Sequence, residues 1–240
     1  LDMLQNNDWD RPIYFAITVG GDAYLQLENY FQLEGLAYRL VPIRTKGQGG
    51  QTGRVDTDIM YDNVMNKFKW GGMDGDVYMG ETNMRMTYNL RNNFARLADA
   101  LLREGKTDSA IAVLDKCIEV MPDHSIPYNF FLTPIAEAYY RAGRQGQDSL
   151  STQKATVLMT RLMEIYEGDL TFYLSLPREK AKEIKAETER AMSVFQRLMQ
   201  IAKAYQQDEL HTQLKDKFTI FQADYQHTQA PPAAVPGRRL

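Results

Sequence analysis

The stretch Phe94–Pro122, FARLADALLREGKTDSAIAVLDKCIEVMP, decides the fold of this chain. It follows the tetratricopeptide pattern, which asks for a large apolar residue, then x2-L-G-x2-Y, then A-x3-F, then a closing Pro. Phe94 fills the first place, Leu97-Ala98 the L-G pair and Leu101 the Tyr place. Gly105 is placed to turn between two helices, Ala110 and Leu114 supply A-x3-F, and Pro122 closes the unit. Such a unit cannot bury its apolar face alone. It stacks on neighbours and presents a surface, and it carries no chemistry of its own.

Downstream, Tyr128–Gly143 begins a second copy: Leu132, Ile135-Ala136, Tyr139 and Gly143 take the places of Phe94, Leu97-Ala98, Leu101 and Gly105. The Ala that should follow at 148 arrives seven residues later, at Ala155, so the loop Arg144 to Thr152 is predicted to carry an insertion. Arg178 to Gln207 and Glu209 to Tyr225 read as a looser third helical pair without a turn glycine, suited to capping a short array. The tail from Ala230 is rich in Pro and Ala and reads as disordered or extended.

Upstream, residues 1 to about 55 have α/β character. Ile13–Val19 is a β-branched and aromatic run between Arg11-Pro12 and Gly20-Gly21, which predicts a buried strand. Leu36–Val41, ended by Pro42, predicts a second. Between them Asp22 is placed to cap a helix running through Leu33 and stopped by Gly35. Lys46–Gly53 is a flexible loop by composition, Asp56–Phe68 a helix with Ile59, Met60, Val64 and Phe68 on one side, and Gly71–Asp76 a second loop. The fold class is therefore α+β and predominantly α: a small N-terminal α/β segment (1–80), a short tetratricopeptide-like helical array (81–228) and a tail (229–240).

Composition narrows the function. The 240 residues carry 28 Lys and Arg against 31 Asp and Glu, a net charge of -3 with the signs interspersed. Nucleic-acid binders show a basic stripe, so nucleic acid is not an expected partner. The single cysteine, Cys117, allows neither an internal disulfide nor a cysteine-based zinc site, and it falls where consecutive helices touch, a place for a buried inert thiol. No apolar run is long enough to span a bilayer. The chain opens on Leu1 with no visible signal peptide, which suggests a fragment or a processed product.

Catalytic motifs are weak. The loop GQGGQTG follows a strand, but a phosphate-binding loop needs G-x4-G-K-[ST] feeding a helix, and Gly53 is followed by Arg54-Val55. Asp56/Asp58 and Asp74/Asp76 have the D-x-D spacing with which two carboxylates share a hard cation. A helix cap at Asp56 and turn roles for Asp74 and Asp76 explain them better. His124, His211 and His227 form no pattern with each other or with Cys117, so no nucleophile–base set is assigned and no cofactor or metal is expected. Abundant Met at helical spacing reads as core filler.

The groove face of the helical array is the better candidate. Asn92, Arg96, Asp99 and Arg103 fall on the side of the first helix that faces away from its partner, and Phe130, Thr133, Glu137 and Arg141 fall on the corresponding side of the second copy. Of these, Asn92, Arg96, Asp99, Arg103, Glu137 and Arg141 form the expected binding set. A concave polar surface of this kind suits a peptide or a neighbouring domain. The competing reading is a solvated helix face crossed by ordinary ion pairs.

Three segments carry a wider resemblance: Asn6–Ala16 (NNDWDRPIYFA), Phe31–Pro42 (FQLEGLAYRLVP) and Asp56–Asn63 (DTDIMYDN), followed in order by Arg91–Ala98 (RNNFARLA) and the repeats. Together they resemble the C-terminal soluble part of a bacterial family of polytopic membrane proteins similar to protein O-mannosyltransferases, with a glycosyltransferase-C membrane fold. The resemblance runs to about residue 225. It implies that transmembrane helices and the catalytic site precede this region, that the donor is a lipid-linked sugar, and that the soluble part lies on the periplasmic side of the inner membrane. It maps no catalytic residue onto this sequence. The loop Gln145 to Thr152 is longer than the family's usual turn, and the Gly-rich loop 47–53 is expected to vary. The partner implied is a protein or peptide, or the chain's own membrane domain. The alternative is a free-standing tetratricopeptide adaptor with no enzyme attached.

Overall fold

The computed structural model describes residues 2–44, 47 and 50–229. The Pro/Ala-rich tail and Thr45, Lys46, Gln48 and Gly49 of the Gly-rich loop lie outside the described residues. The chain divides into two compact units, residues 1–155 and 156–240. The boundary anticipated at residue 80 falls inside the first of them.

The first unit starts with the short helix α1 (Asp2–Asn6) and a four-stranded sheet of β1 (Tyr14–Ala16), β2 (Phe31–Leu33), β3 (Ala37–Leu40) and β4 (Arg54–Val55). The spatial order is β1-β3-β2-β4. β2 and β3 are an antiparallel hairpin with Phe31 opposite Leu40, β1 pairs antiparallel with β3, and β4 runs parallel to β2 with Gln32 opposite Arg54. Phe31 and Leu33 are fully buried; Phe31 stacks on Tyr38 at 5.4 Å and meets Tyr24 edge-on at 5.1 Å.

Two strand-region expectations are corrected. The run Ile13–Val19 yields a three-residue edge strand, not a buried one, and Tyr14 is 50% exposed. It ends early because the chain turns at once, with Val19 N–H bonding back to Ala16 C=O at 3.2 Å. The helix predicted from Asp22 to Leu33 is absent. Two short 3-10 turns (Gly21–Tyr24 and Glu28–Tyr30) lead into β2, and Leu25 and Gln26 between them sit at φ 54° and 62°. Left-handed residues cannot continue a right-handed helix. Gly35, read as a helix stop, is the hairpin turn: at φ 134°, with the Phe68 ring 2.6 Å from where a Cβ would sit, no other residue fits.

Helix α2 (Thr57–Asp62) runs into a π-helical turn (Asn63–Lys67), capped by Asp56, whose Oδ1 accepts from Ile59 N–H at 3.1 Å. Thr57, Met60 and Val64 are its buried residues, whereas Ile59 is exposed. Helices α3 (Glu81–Arg103) and α4 (Thr107–Val120) form a hairpin that turns at Gly105, φ 76°. Leu97, Ala98, Ala110, Val113, Leu114 and Cys117 meet at its centre with no exposed surface. Burial pushes the Cys117 thiol up to about 12, so it stays protonated and inert at neutral pH.

Helix α5 (Thr133–Gly146) follows, burying Ile135, Ala136, Tyr139 and Tyr140. The predicted insertion loop after Gly143 is a third correction. α5 continues three residues past Gly143, turns on Gln147 at φ 51°, and α6 (Ser149–Ser175) starts almost at once, capped by Asp148. Gly143 lies inside α5 because a Cβ there would stand 2.5 Å from Thr152 Oγ1 and 2.9 Å from Asp148 C=O. It is a close-approach glycine, not a turn.

The second unit takes in the rest of α6, then α7 (Arg178–Glu183), α8 (Lys185–Ala204) and α9 (Asp208–Gln229). The helix anticipated from Arg178 to Gln207 breaks at Ile184, and Gln206 at φ 58° makes the α8–α9 turn in place of a glycine. Phe195 and Phe221 pack edge to face at 5.6 Å within this unit. Met159 and Met163 are buried in α6, the core role that helical spacing suggested. The whole is α+β and predominantly α. No helix among the described residues is long and apolar enough to cross a membrane.

Candidate functional site

The α/β segment is fastened to α3 by polar side chains that reach backbone carbonyls. Asn93 Nδ2 donates to Gly35 C=O at 2.8 Å. Arg96 donates through Nη1 to Tyr38 Oη (3.0 Å) and through Nη2 to Thr52 C=O (2.6 Å) and Gly53 C=O (3.1 Å). At the start of the same run, Arg91 is fully buried and donates to the carbonyls of Pro127 (2.9 Å), Met121 (3.0 Å) and Ile126. Its guanidinium also lies over the rings of Tyr128 (5.1 Å) and Tyr88 (5.7 Å). Burial lowers its pKa, and the carbonyl dipoles at the end of α4 supply the stabilisation that water would. The motif RNNFARLA is thus a set of three backbone clamps.

This docking leaves a groove of about 380 Å³ in the first unit. One wall is the Gly-rich loop and β4, through Gln51, Gly53, Arg54 and Val55; the floor is α3, and the far wall is α5. All six residues expected to form the binding set, Asn92, Arg96, Asp99, Arg103, Glu137 and Arg141, line it. Phe130 and Thr133 do not. Phe130 stacks on Phe131 at 4.2 Å in a 3-10 turn ahead of α5, and Thr133 is buried at the first position of that helix.

The six are not equivalent. Arg96 is 7% exposed, and its three bonds hold the opposite wall in place, so its role is a clamp rather than a ligand contact. Asp99 bridges the two helices. It takes Arg103 Nη1 on Oδ2 at 2.6 Å and Arg141 Nη1 on Oδ1. Side-chain exposures of 47% for Arg103, 33% for Arg141 and 29% for Asp99 leave this triad open to a ligand. Asn92 and Glu137 are half-buried on the lining.

Sequence reasoning missed the β4 wall, because two residues after a glycine-rich loop have no periodicity to read. Glu104, also on the lining, is held by Lys106 Nζ (2.9 Å) and Thr57 Oγ1 (2.8 Å). On the sheet, Gln32 and Glu34 are buried in a polar network: Gln32 Nε2 donates to Glu34 Oε1 at 2.7 Å, Tyr14 Oη donates to Glu34 Oε2 at 3.1 Å, and Arg54 donates to Gln32 Oε1.

The Asp56/Asp58 pair has structural uses. Asp56 is the α2 cap, and Asp58 pairs with Lys106 at 2.9 Å. The Asp74–Gly75 backbone is tied to the turn after α4 by His124 (3.2 Å to Asp74 C=O) and by Ser125 Oγ (2.8 Å to Gly75 C=O). Among the described residues no group of three or more His, Cys, Asp or Glu is placed to hold a metal ion.

Residues 1–59 match the family model described as TMEM260-associated domain 2. The match links this segment to the TMEM260 family, which is O-mannosyltransferase-like. It takes in Asn6–Ala16 and Phe31–Pro42 of the resemblance and the β4 wall of the groove. No curated protein and no solved structure matches the chain.

Proposed function

We propose that this chain is a non-catalytic accessory domain of a membrane glycosyltransferase-like protein, held on the periplasmic side of the inner membrane. Its tetratricopeptide-like pairs offer the groove to an acceptor protein or peptide, or steady the membrane domain beside it. The observation that supports this reading is the composition of the groove. The segment similar to TMEM260-associated domain 2 supplies one wall, and the helical pairs supply the floor and the other wall. A helical array with an unrelated N-terminal appendage would have no need to share a surface with it.

The gene sequence preceding Leu1 tests the membrane link. Several apolar stretches of about 20 residues are the expected result. A start codon or a cleavable signal peptide directly before Leu1 sinks the reading and favours a free-standing adaptor. Fusing reporters to the C-terminus of the full chain tests the side of the membrane. Alkaline phosphatase activity without green fluorescence is expected, and the reverse pattern overturns the periplasmic placement.

A further inference from the structure

We infer that two copies of this chain associate through the outer face of α6, the helices antiparallel about a two-fold axis beside the Leu162–Met163 peptide. The inference stands apart from the groove and from the docking role proposed above. The face belongs to the second unit. Val157, Arg161, Glu164, Gly168 and Phe172 are all exposed, and at 3.6 residues per turn they fall within about 80° of one another.

The first observation is Gly168. Glycine weakens a helix interior, and a fold keeps one there where a Cβ would collide or the backbone must turn left-handed. Gly143 in α5 is such a case, with Thr152 Oγ1 2.5 Å from where its Cβ would sit. Gly168 is not. It lies well inside α6, its φ is not positive, and a Cβ on it would meet nothing within 4 Å. The room it leaves faces solvent, where no described residue uses it, and bare backbone there admits the close approach of another molecule. Val157 and Phe172, 67% and 59% exposed, flank that room with apolar surface whose burial is favourable.

The second observation is the order of the residues. When α6 is set antiparallel to a copy of itself with Val157 of one over Gly168 of the other, Arg161 falls opposite Glu164 of the other copy. Symmetry makes each contact twice, as an isologous interface requires. A shift of one turn either way loses both matches, and a parallel pair sets Arg161 against Arg161. Within each helix Arg161 Nη1 lies 3.2 Å from Glu164 Oε2, with side-chain exposures of 47% and 55%. Two such pairs face to face close a ring of four alternating charges. The 4-3-4 spacing from Val157 to Gly168 is also that of a coiled-coil seam. An unrelated partner sets no relation between one residue of the stripe and another. A second copy does, and one register meets it for both pairs.

Val157 to Phe172 spans about 24 Å of helix. One helix pair of that length buries less than the roughly 1,200 Å² of a stable interface, so the dimer is weak and depends on concentration. Sedimentation equilibrium of the 240-residue chain between about 10 μM and about 1 mM should show a monomer–dimer equilibrium. Arg161→Glu and Glu164→Arg should each weaken it at least about tenfold, and an equimolar mixture of the two variants should associate again, because each supplies the charge the other lacks. Gly168→Leu fills open space, so the monomer should stay folded by thermal melting while dimerisation falls by at least about tenfold. A chain that is monomeric at 1 mM overturns the inference. So does association that ignores both Arg161→Glu and Gly168→Leu, which places the contact on another face. If the two charge variants fail to associate when mixed, the antiparallel register is wrong.

Discussion

The first helices of the two pairs, α3 and α5, share a register from Asp99 and Glu137 onward and differ in chemistry over the residues just before it. Asp99 and Arg103 correspond to Glu137 and Arg141, and all four line the groove. Earlier along the helix, Arg91, Asn93 and Arg96 correspond to Asn129, Phe131 and Pro134. The α3 residues are consumed by carbonyls of the sheet hairpin, the Gly-rich loop and the turn after α4. The α5 counterparts cap a short turn, stack on Phe130 and begin a helix. The shared half is presentation. The divergent half is attachment, and α3 is polar there because irregular backbone packed on a helix leaves carbonyls that only side chains can satisfy.

The sharpest way to break this comparison is at its first position. Arg91→Ala removes three charge-assisted bonds, orphans buried carbonyls and opens a cavity between Tyr88 and Tyr128. A loss of about 4 kcal/mol is expected. Asn129→Ala removes one capping bond, from Phe131 N–H, and should cost about 1 kcal/mol. Urea unfolding of the two variants measures the difference; equal costs would mean that α3 is no more an attachment helix than α5.

The glycines at the ends of these registers come next. Gly105→Ala places a Cβ in open space but at φ 76°, and should cost about 1 kcal/mol. Gly143→Ala keeps helical backbone but drives a Cβ into Thr152 Oγ1 and Asp148 C=O, and should cost about 2 kcal/mol. Thr152→Ala should recover part of that loss for Gly143→Ala and none of it for Gly105→Ala. Rescue of both, or of neither, would show that the two glycines do one job.

Those glycines also mark how far the sequence could be read. The array was legible from period and apolar spacing, and Phe94, Leu97, Leu101 and Ala110 are buried as the pattern requires. Gly143 misled because a glycine chosen for close approach and one chosen for a turn are the same letter. The sheet was legible only in part: Leu36–Val41 contains β3, but β2 was hidden in a run whose helix-like spacing is broken by two left-handed residues that no motif announces. The six groove residues were found by register. The use of Arg96 was not, since a guanidinium aimed at a ligand and one aimed at a carbonyl differ only in what the chain brings opposite.

Titration sharpens the contrast between buried and presented groups. The Cys117 thiol is raised to about 12 by burial, while in the unfolded chain it ionises near 8.5. The folded state therefore holds its proton more tightly. This contribution to stability is whole below about pH 8.5 and is lost as pH rises, at a slope approaching about 1.4 kcal/mol per pH unit. Cys117→Ala should flatten that slope between about pH 9 and pH 10, before the tyrosines titrate. An unchanged slope would mean that the thiol is accessible in the native state.

The smallest expected effect carries the functional half of the comparison. Arg103→Gln and Arg141→Gln each remove one partner of Asp99 in a half-exposed setting, and each should change stability by no more than about 0.5 kcal/mol. Because both guanidiniums share that carboxylate, the double variant should cost more than the two singles together: after either loss, the remaining arginine still holds Asp99. A side chain that can be removed from an occupied position at so little cost is not there to hold the fold. If Arg141→Gln instead unfolds the chain as Arg91→Ala is expected to, the triad is a third clamp between helices and the groove offers nothing to a ligand. If it is silent in stability, the register shared by α3 and α5 is a presented surface, and the divergence before it holds β4 at its distance from that surface.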